Sequence, residues 1–131
     1  MSRRPDPELG LLRVLSRTAR GPRREGAFAV WLAVRVALDG SRPEGLAERA
    51  LRRRAQALER RLSSLTLPHP LRRALQGTLA LLRETRPERA ALALRQLVAP
   101  VGESLGAEAS EAVRHAAEDA ERRVAAGSRA R

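Results

Sequence analysis

The chain is predicted to fold as an all-α protein, a compact bundle of five or six helices with mostly antiparallel neighbours. Three observations predict it. Leu, Ala and Val supply nearly all of a 43% hydrophobic content, and Leu and Ala are strong helix formers while Val is only mildly unfavourable. The strand-favouring set is nearly missing, with no Ile or Tyr, almost no Thr, and only Phe28 and Trp31 as aromatics. Apolar residues recur at three- and four-residue steps between Pro- and Gly-marked breaks, the spacing of helices with one buried side. At 131 residues the chain suits a single domain covering 1–131, with frayed ends at 1–5 and 127–131.

Asp6-Pro7-Glu8 reads as a helix start, with Asp6 as N-cap and Pro7 in the first helical position. This helix is expected to run to about Arg20, where Gly21-Pro22 stops it, with Leu11, Leu12, Leu15 and Ala19 on its apolar side. A second helix spans about Arg23 to Asp39 and ends at Gly40. It is apolar on almost every side, so it is expected at the centre of the fold. A six-helix monomer supplies the partners it needs, and a homodimer supplies them more easily.

Ser41-Arg42-Pro43-Glu44 fits a capping box opening a third helix that continues to about Leu65. Leu51, Ala55, Leu58, Leu62 and Leu65 form its seam. Leu67-Pro68-His69-Pro70 is a stiff connector into a fourth helix with Leu71, Ala74, Leu75, Thr78, Leu79 and Leu82 buried. Thr85-Arg86-Pro87-Glu88 repeats the capping-box pattern and opens a fifth helix, with Ala90, Leu94, Leu97 and Val98 inward and Pro100 ending or kinking it. A last helix begins between Ser104 and Ala107 and runs to about Ala126. The two boxes, 44 residues apart, are compatible with two related αα-hairpins. A solenoid needs at least about three repeats, so a bundle is the better reading.

Charge is the main functional clue. All 26 basic residues are arginine and 15 acids oppose them, a net +11. The absence of Ile, Asn, Lys, Tyr and Cys beside heavy use of Ala, Arg, Gly and Pro is what GC-biased coding leaves. Such bias accounts for arginine in place of lysine but not for the excess of bases over acids. Nor is the excess evenly spread: residues 1–95 hold 21 Arg against 9 acids, whereas residues 96–131 hold 5 against 6.

Arg13, Arg17 and Arg20 share one side of the first helix, and Arg49, Arg53, Gln56 and Arg60 form a stripe on the third, broadened by Arg52, Arg54 and Arg61. A guanidinium offers a fixed fork of donors matched to carboxylate and phosphate oxygens. Arg13, Arg17, Arg20, Arg49, Arg52, Arg53 and Arg60 are therefore the candidate contacts to an anionic partner, unless they are ordinary solvated faces. The acids of the last helix, Glu108, Glu111, Glu118, Asp119 and Glu121, are placed to shield an arginine face within the fold or in a second copy.

Phe28, Trp31, Leu32, Arg35 and Asp39 share one side of the second helix. Trp and Arg are frequent interface anchors, and Arg35 is placed either to lie over Trp31 or to pair with Asp39. Core packing of Phe28 and Trp31 is the plainer alternative.

Catalytic signals are weak. Without cysteine there are no disulfides, no thiolate chemistry and no cysteine-ligated zinc. His69 sits between two prolines. Glu111, His115 and Glu118 share a helical side, but one opposite Val113, Ala116, Ala120 and Val124, whereas bundle metal sites face the interior. Ser63-Ser64 has no base beside it in sequence, and Gly102 to Gly106 lacks the Lys and length of a phosphate loop. A helix-turn-helix around Pro100 to Gly106 would present an acidic second helix to phosphate. The segment from Ser2 to Pro7 leads into an amphipathic stretch, so no secretory leader is expected. The longest apolar run, Ala27 to Leu38, contains Arg35 and falls short of the roughly 20 residues a membrane span needs.

The expected function is a non-catalytic, cytoplasmic adaptor or assembly protein that uses its arginine faces to hold an acidic protein partner, without cofactor or metal. The alternative is sequence-nonspecific nucleic-acid binding through the phosphate backbone, since stacking on bases requires exposed aromatics. An enzyme, and membrane-surface binding through an arginine stripe, rank behind these.

Overall fold

The computed structural model describes residues 6–42 and 47–130. Six helices and no strand occur among the described residues: α1 (Pro7–Arg17), α2 (Pro22–Gly40), α3 (Glu48–Ser63), α4 (His69–Leu82), α5 (Pro87–Leu105) and α6 (Ala107–Ala130). None of them is long and apolar enough to cross a membrane.

Centrally placed α2 touches every other helix. Ala27, Ala29, Val30, Ala33, Val34 and Ala37 are entirely buried along it, and their small side chains let the surrounding helices approach closely. Its remaining side carries Phe28, Trp31, Leu32 and Val36, all only half-buried, and exposed Arg35. The expectation of a helix covered all round is thus met on all sides but one. Helices α5 and α6 share the most extensive interface, an antiparallel hairpin turned by Gly106 alone. Its φ of 96° is a conformation that glycine adopts without a Cβ clash.

Helix starts follow local chemistry in part. The Asp6 carboxylate accepts from the Glu8 and Leu9 amides at 3.0 and 3.3 Å, with Pro7 inside the first turn, as its sequence implies. The two capping boxes do not form as read. Ser41 closes α2 instead: its amide donates to the Ala37 carbonyl at 3.0 Å and its buried hydroxyl to Leu38 at 2.8 Å. Helix α3 starts only at Glu48, after Ala47, and Pro43 and Glu44 lie outside the described residues. Thr85 takes φ of 54° and donates its hydroxyl to the Glu84 carbonyl, so Arg86 becomes the N-cap and Pro87 the first residue of α5. In both cases the hydroxyl caps the carbonyls behind it rather than the amides ahead.

Several boundaries also move. Helix α1 ends at Arg17, where the Thr18 hydroxyl turns back to the Val14 carbonyl at 2.6 Å, so Arg20 lies beyond it. His69 opens α4, with Pro68 as N-cap and Pro70 tolerated in the first turn, where an amide would have no helical acceptor. Helix α5 continues through Pro100 to Leu105. On that turn the Val98 carbonyl accepts from Ser110 of α6 at 2.9 Å, which ties the proline turn to the next helix. Helix α6 runs past Gly127 to Ala130.

Four arginines close helix C-termini from neighbouring elements. Arg24 donates to the carbonyls of Leu15 and Thr18 at the end of α1, at 2.8 and 3.1 Å. Arg72 reaches Leu65 beyond α3 at 3.0 Å, Arg123 reaches Leu38 near the end of α2 at 3.2 Å, and Arg23 reaches Leu105 at the end of α5 at 3.0 Å. Terminal carbonyls lack intrahelical donors and carry the negative end of the helix dipole, so a guanidinium there satisfies both needs at once.

Two stability measurements check this picture. Arg24→Met removes both bonds at the end of α1 and is expected to destabilise the protein by about 1–2 kcal/mol in urea unfolding, whereas Arg73→Met, at an exposed position, leaves the midpoint unchanged. Gly77→Ala is expected to stabilise by about 0.5–1 kcal/mol, because a Cβ at that mid-helix position of α4 meets nothing within 4 Å.

Candidate interaction face on the second and third helices

Helix α3 turns Leu51, Ala55, Leu58 and Leu62 inward and exposes the rest of its length. Its contacts are with α2 and α4 alone among the helices, so it is an outer element with a broad solvent face. Arg49, Arg53, Gln56 and Arg60 line that face as their spacing implies, all exposed. Arg49, Arg53 and Arg60 form no ion pair with any described residue. Their neighbours are engaged: Arg52 with Glu48 at 2.6 Å, Arg54 with Asp39, and Glu59 with Arg83 of α4.

The stripe read on the first helix is not brought together in the same way. Arg13 is exposed on α1, but Arg17 is held by Glu108 of α6 through two bonds at 3.0 and 3.2 Å. Arg20 sits in the connection to α2, because α1 has already ended, so the three do not form one helical face. Of the seven candidate arginines, Arg49, Arg53 and Arg60 remain on one helical face with no ion-pair partner among the described residues.

The acids of α6 are consumed within the fold. Arg95 of α5 grips Glu121 with Nε and Nη2 at 3.0 and 2.5 Å, and this hydrogen bonding raises its pKa further. Arg114 binds both Glu111 and Glu118, and Arg122 binds Asp119. The hydrogen bond from Arg114 holds the Glu111 carboxyl below the usual carboxylate range. Whatever stability it adds is therefore present above the ordinary carboxylate pKa and lost as pH falls through the lowered value. Exposed pairs of this kind contribute little individually, because water and salt screen them. Their effect is to leave α6 without a free acidic face. Among the described residues, Glu88 and Glu103 alone have carboxylates in neither an ion pair nor a hydrogen bond.

On the open side of α2, the Phe28 and Trp31 rings stack with centroids 5.9 Å apart and planes at 30°. The Arg35 guanidinium lies 4.8 Å over the Trp31 ring and also pairs with Glu8 at 3.7 Å. It does not pair with Asp39, which goes to Arg54 and Arg42 instead. The Trp31 indole N–H is buried without a hydrogen-bond partner among the described residues, an arrangement that costs about 1–3 kcal/mol. Trp31 packs at the rim of the core and Phe28 stacks on it, both half-buried.

Beside them runs a groove of about 350 Å³. One wall is Phe28, Leu32 and Val36 of α2; the other is Arg54, Ala57, Leu58 and Arg61 of α3. Arg54 meets Asp39 at one end, and Arg61 lies 5.5 Å over the Phe28 ring at the other, which fixes the helices as antiparallel. Sequence reading did not find this groove. The four-residue spacing of Phe28, Leu32 and Val36 was the available signal, but nothing in it said that α3 would leave those residues half-covered. A larger cavity of about 490 Å³ lies by the α5–α6 turn, where Arg17 and Arg23 are already occupied by Glu108 and the Leu105 carbonyl.

The remaining chemistry-bearing residues serve helix structure. The Ser63 and Ser64 hydroxyls donate to the carbonyls of Glu59 and Arg61 at 2.9 and 2.8 Å. His115 lies 3.3 Å from Glu111, which Arg114 also binds. No group of three or more His, Asp or Glu able to hold a metal occurs among the described residues. In comparisons with known proteins, no protein-family model matches the chain, and no curated protein or solved structure is significantly similar to it.

Proposed function

We propose that this chain is a non-catalytic interaction module, an adaptor or assembly protein of the cytoplasm, that holds an acidic protein partner on the exposed face of α3. One observation carries the reading. Arginines elsewhere are largely committed to carboxylates or to helix-end carbonyls, whereas Arg49, Arg53 and Arg60 line one face of α3 with no such partner among the described residues. Like charges one turn apart on a helix, as Arg49 and Arg53 are, repel by a few tenths of a kcal/mol, so that pair does not support the helix that carries it. An external anion would relieve that repulsion.

A second copy of this chain is the weaker partner, because its acidic helix is already neutralised internally. Nucleic acid remains the alternative with a distinct signature: from Arg49 to Arg60 the helix rises roughly 16 Å, enough to follow a run of backbone phosphates.

Charge reversal separates the two. With a labelled glutamate-rich peptide as probe in fluorescence anisotropy, the Arg49→Glu/Arg53→Glu/Arg60→Glu triple variant is expected to bind at least tenfold more weakly than the parent, with Arg20→Glu close to parental. Affinity unchanged in the triple variant would refute the assignment. Duplex DNA titrated in parallel is expected to bind less tightly than the peptide. Tight DNA binding whose log–log salt slope falls by about 2.7 in the triple variant, at about 0.9 per phosphate contact, would instead establish the nucleic-acid reading.

A further inference from the structure

The groove between α2 and α3 extends the arginine face by an apolar half. We infer that it seats an amphipathic helix of the acidic partner, with the apolar side of that helix in the groove and its carboxylates on Arg61 and the neighbouring arginines of α3. This inference rests on the proposed function, of which it specifies the partner's shape.

Three features support it. The α2 wall presents Phe28, Leu32 and Val36 at four-residue steps, half-buried on the one open side of a helix whose other sides are covered by its neighbours. Those residues cover two turns, about 12 Å, the length over which a docked helix places anchors at i, i+3 or i+4, and i+7. The α3 wall has exposed Ala57 midway between Arg54 and Arg61, so the smallest side chain stands where the groove is open. Finally, charge is matched to one kind of occupant. Asp39 neutralises Arg54 at one end, but Arg61, with the Phe28 ring beneath it, has no ion-pair partner among the described residues and continues into the unpaired arginines of the outer face. An acidic helix with an apolar side satisfies both halves at once. A nucleic-acid backbone has nothing apolar to place on Phe28, Leu32 and Val36, and a second copy has no acidic face to offer.

The test uses the full-length protein and two synthetic 16-residue peptides of identical Glu, Ala and Leu composition. In one the leucines fall on a single helical side; in the other they are spread around it. Emission of Trp31, the chain's only tryptophan and one ring away from the groove, reports occupancy, and circular dichroism reports peptide folding. The amphipathic peptide is expected to bind at least tenfold more tightly than its permuted counterpart, gain helicity and shift the Trp31 emission. Ala57→Gln, which fills the groove with a polar group at constant charge, is expected to remove at least fivefold of that affinity with no change in thermal midpoint. Equal affinity for both peptides, each weakened by the triple charge reversal, would overturn the groove while leaving the arginine face standing. Binding of the amphipathic peptide that ignores Ala57→Gln would also overturn it, and failure of both peptides to bind would overturn the two inferences together. Displacement of the peptide by an equal concentration of duplex DNA would reassign the face to nucleic acid.

Discussion

Burial of α2 is the constraint on which the rest of this fold depends. A helix with apolar residues on almost every side has no orientation that satisfies it at a surface, so five other helices are arranged around it. The alanines along it set the geometry of that arrangement. They present little side-chain bulk, so α1, α4, α5 and α6 approach near its backbone, and the larger leucines of those helices fill the space between. One consequence is that coverage runs out on the side where α3 packs. That helix approaches α2 through Leu51, Leu58 and a tight contact at Gly40, where an added Cβ would lie 3.2 Å from Leu51, and leaves Phe28, Leu32 and Val36 partly uncovered.

Arginine performs three physical jobs in this molecule, and the distinction among them gives the charge excess its meaning. Arg23, Arg24, Arg72 and Arg123 complete helix ends, where a long side chain with several donors reaches carbonyls across an interface. Arg17, Arg83 and Arg95 join helices through carboxylates of another element. Of the described arginines bound to neither a carboxylate nor a carbonyl, Arg49, Arg53, Arg60 and Arg61 share α3, the helix least embedded in the bundle, while Arg13, Arg20, Arg73 and Arg86 are scattered over other elements. A composition set by coding bias would place arginine on surfaces generally. It would not by itself gather four unpaired ones on the one helix that borders an apolar groove.

The acidic C-terminal helix resolves in the opposite direction. Its carboxylates, facing α1, α5 and its own arginines, are spent on pinning α6 to the bundle and on intrahelical pairs. The segregation of charge along the chain is therefore partly resolved inside the fold, with the excess of arginine over acid remaining in residues 1–95.

Much of the architecture was legible in the sequence because it depends on periodicity and on local chemistry. The six helices, the central position of Ala27 to Leu38, the Asp6 cap and the arginine stripe of α3 all follow from side-chain spacing along a 3.6-residue helix and from residues acting on near neighbours. The fate of Ser41, Thr85 and Pro100 did not follow, since a hydroxyl can cap either the carbonyls behind it or the amides ahead, and a proline turn survives when a neighbouring helix supports it. Only tertiary packing decided that Arg17 would meet Glu108 and lose its freedom, that Arg23 and Arg123 would close distant helix ends, and that α3 would stop short of covering Phe28, Leu32 and Val36. Those outcomes are set by distances between residues far apart in the chain, which spacing along a single helix does not encode.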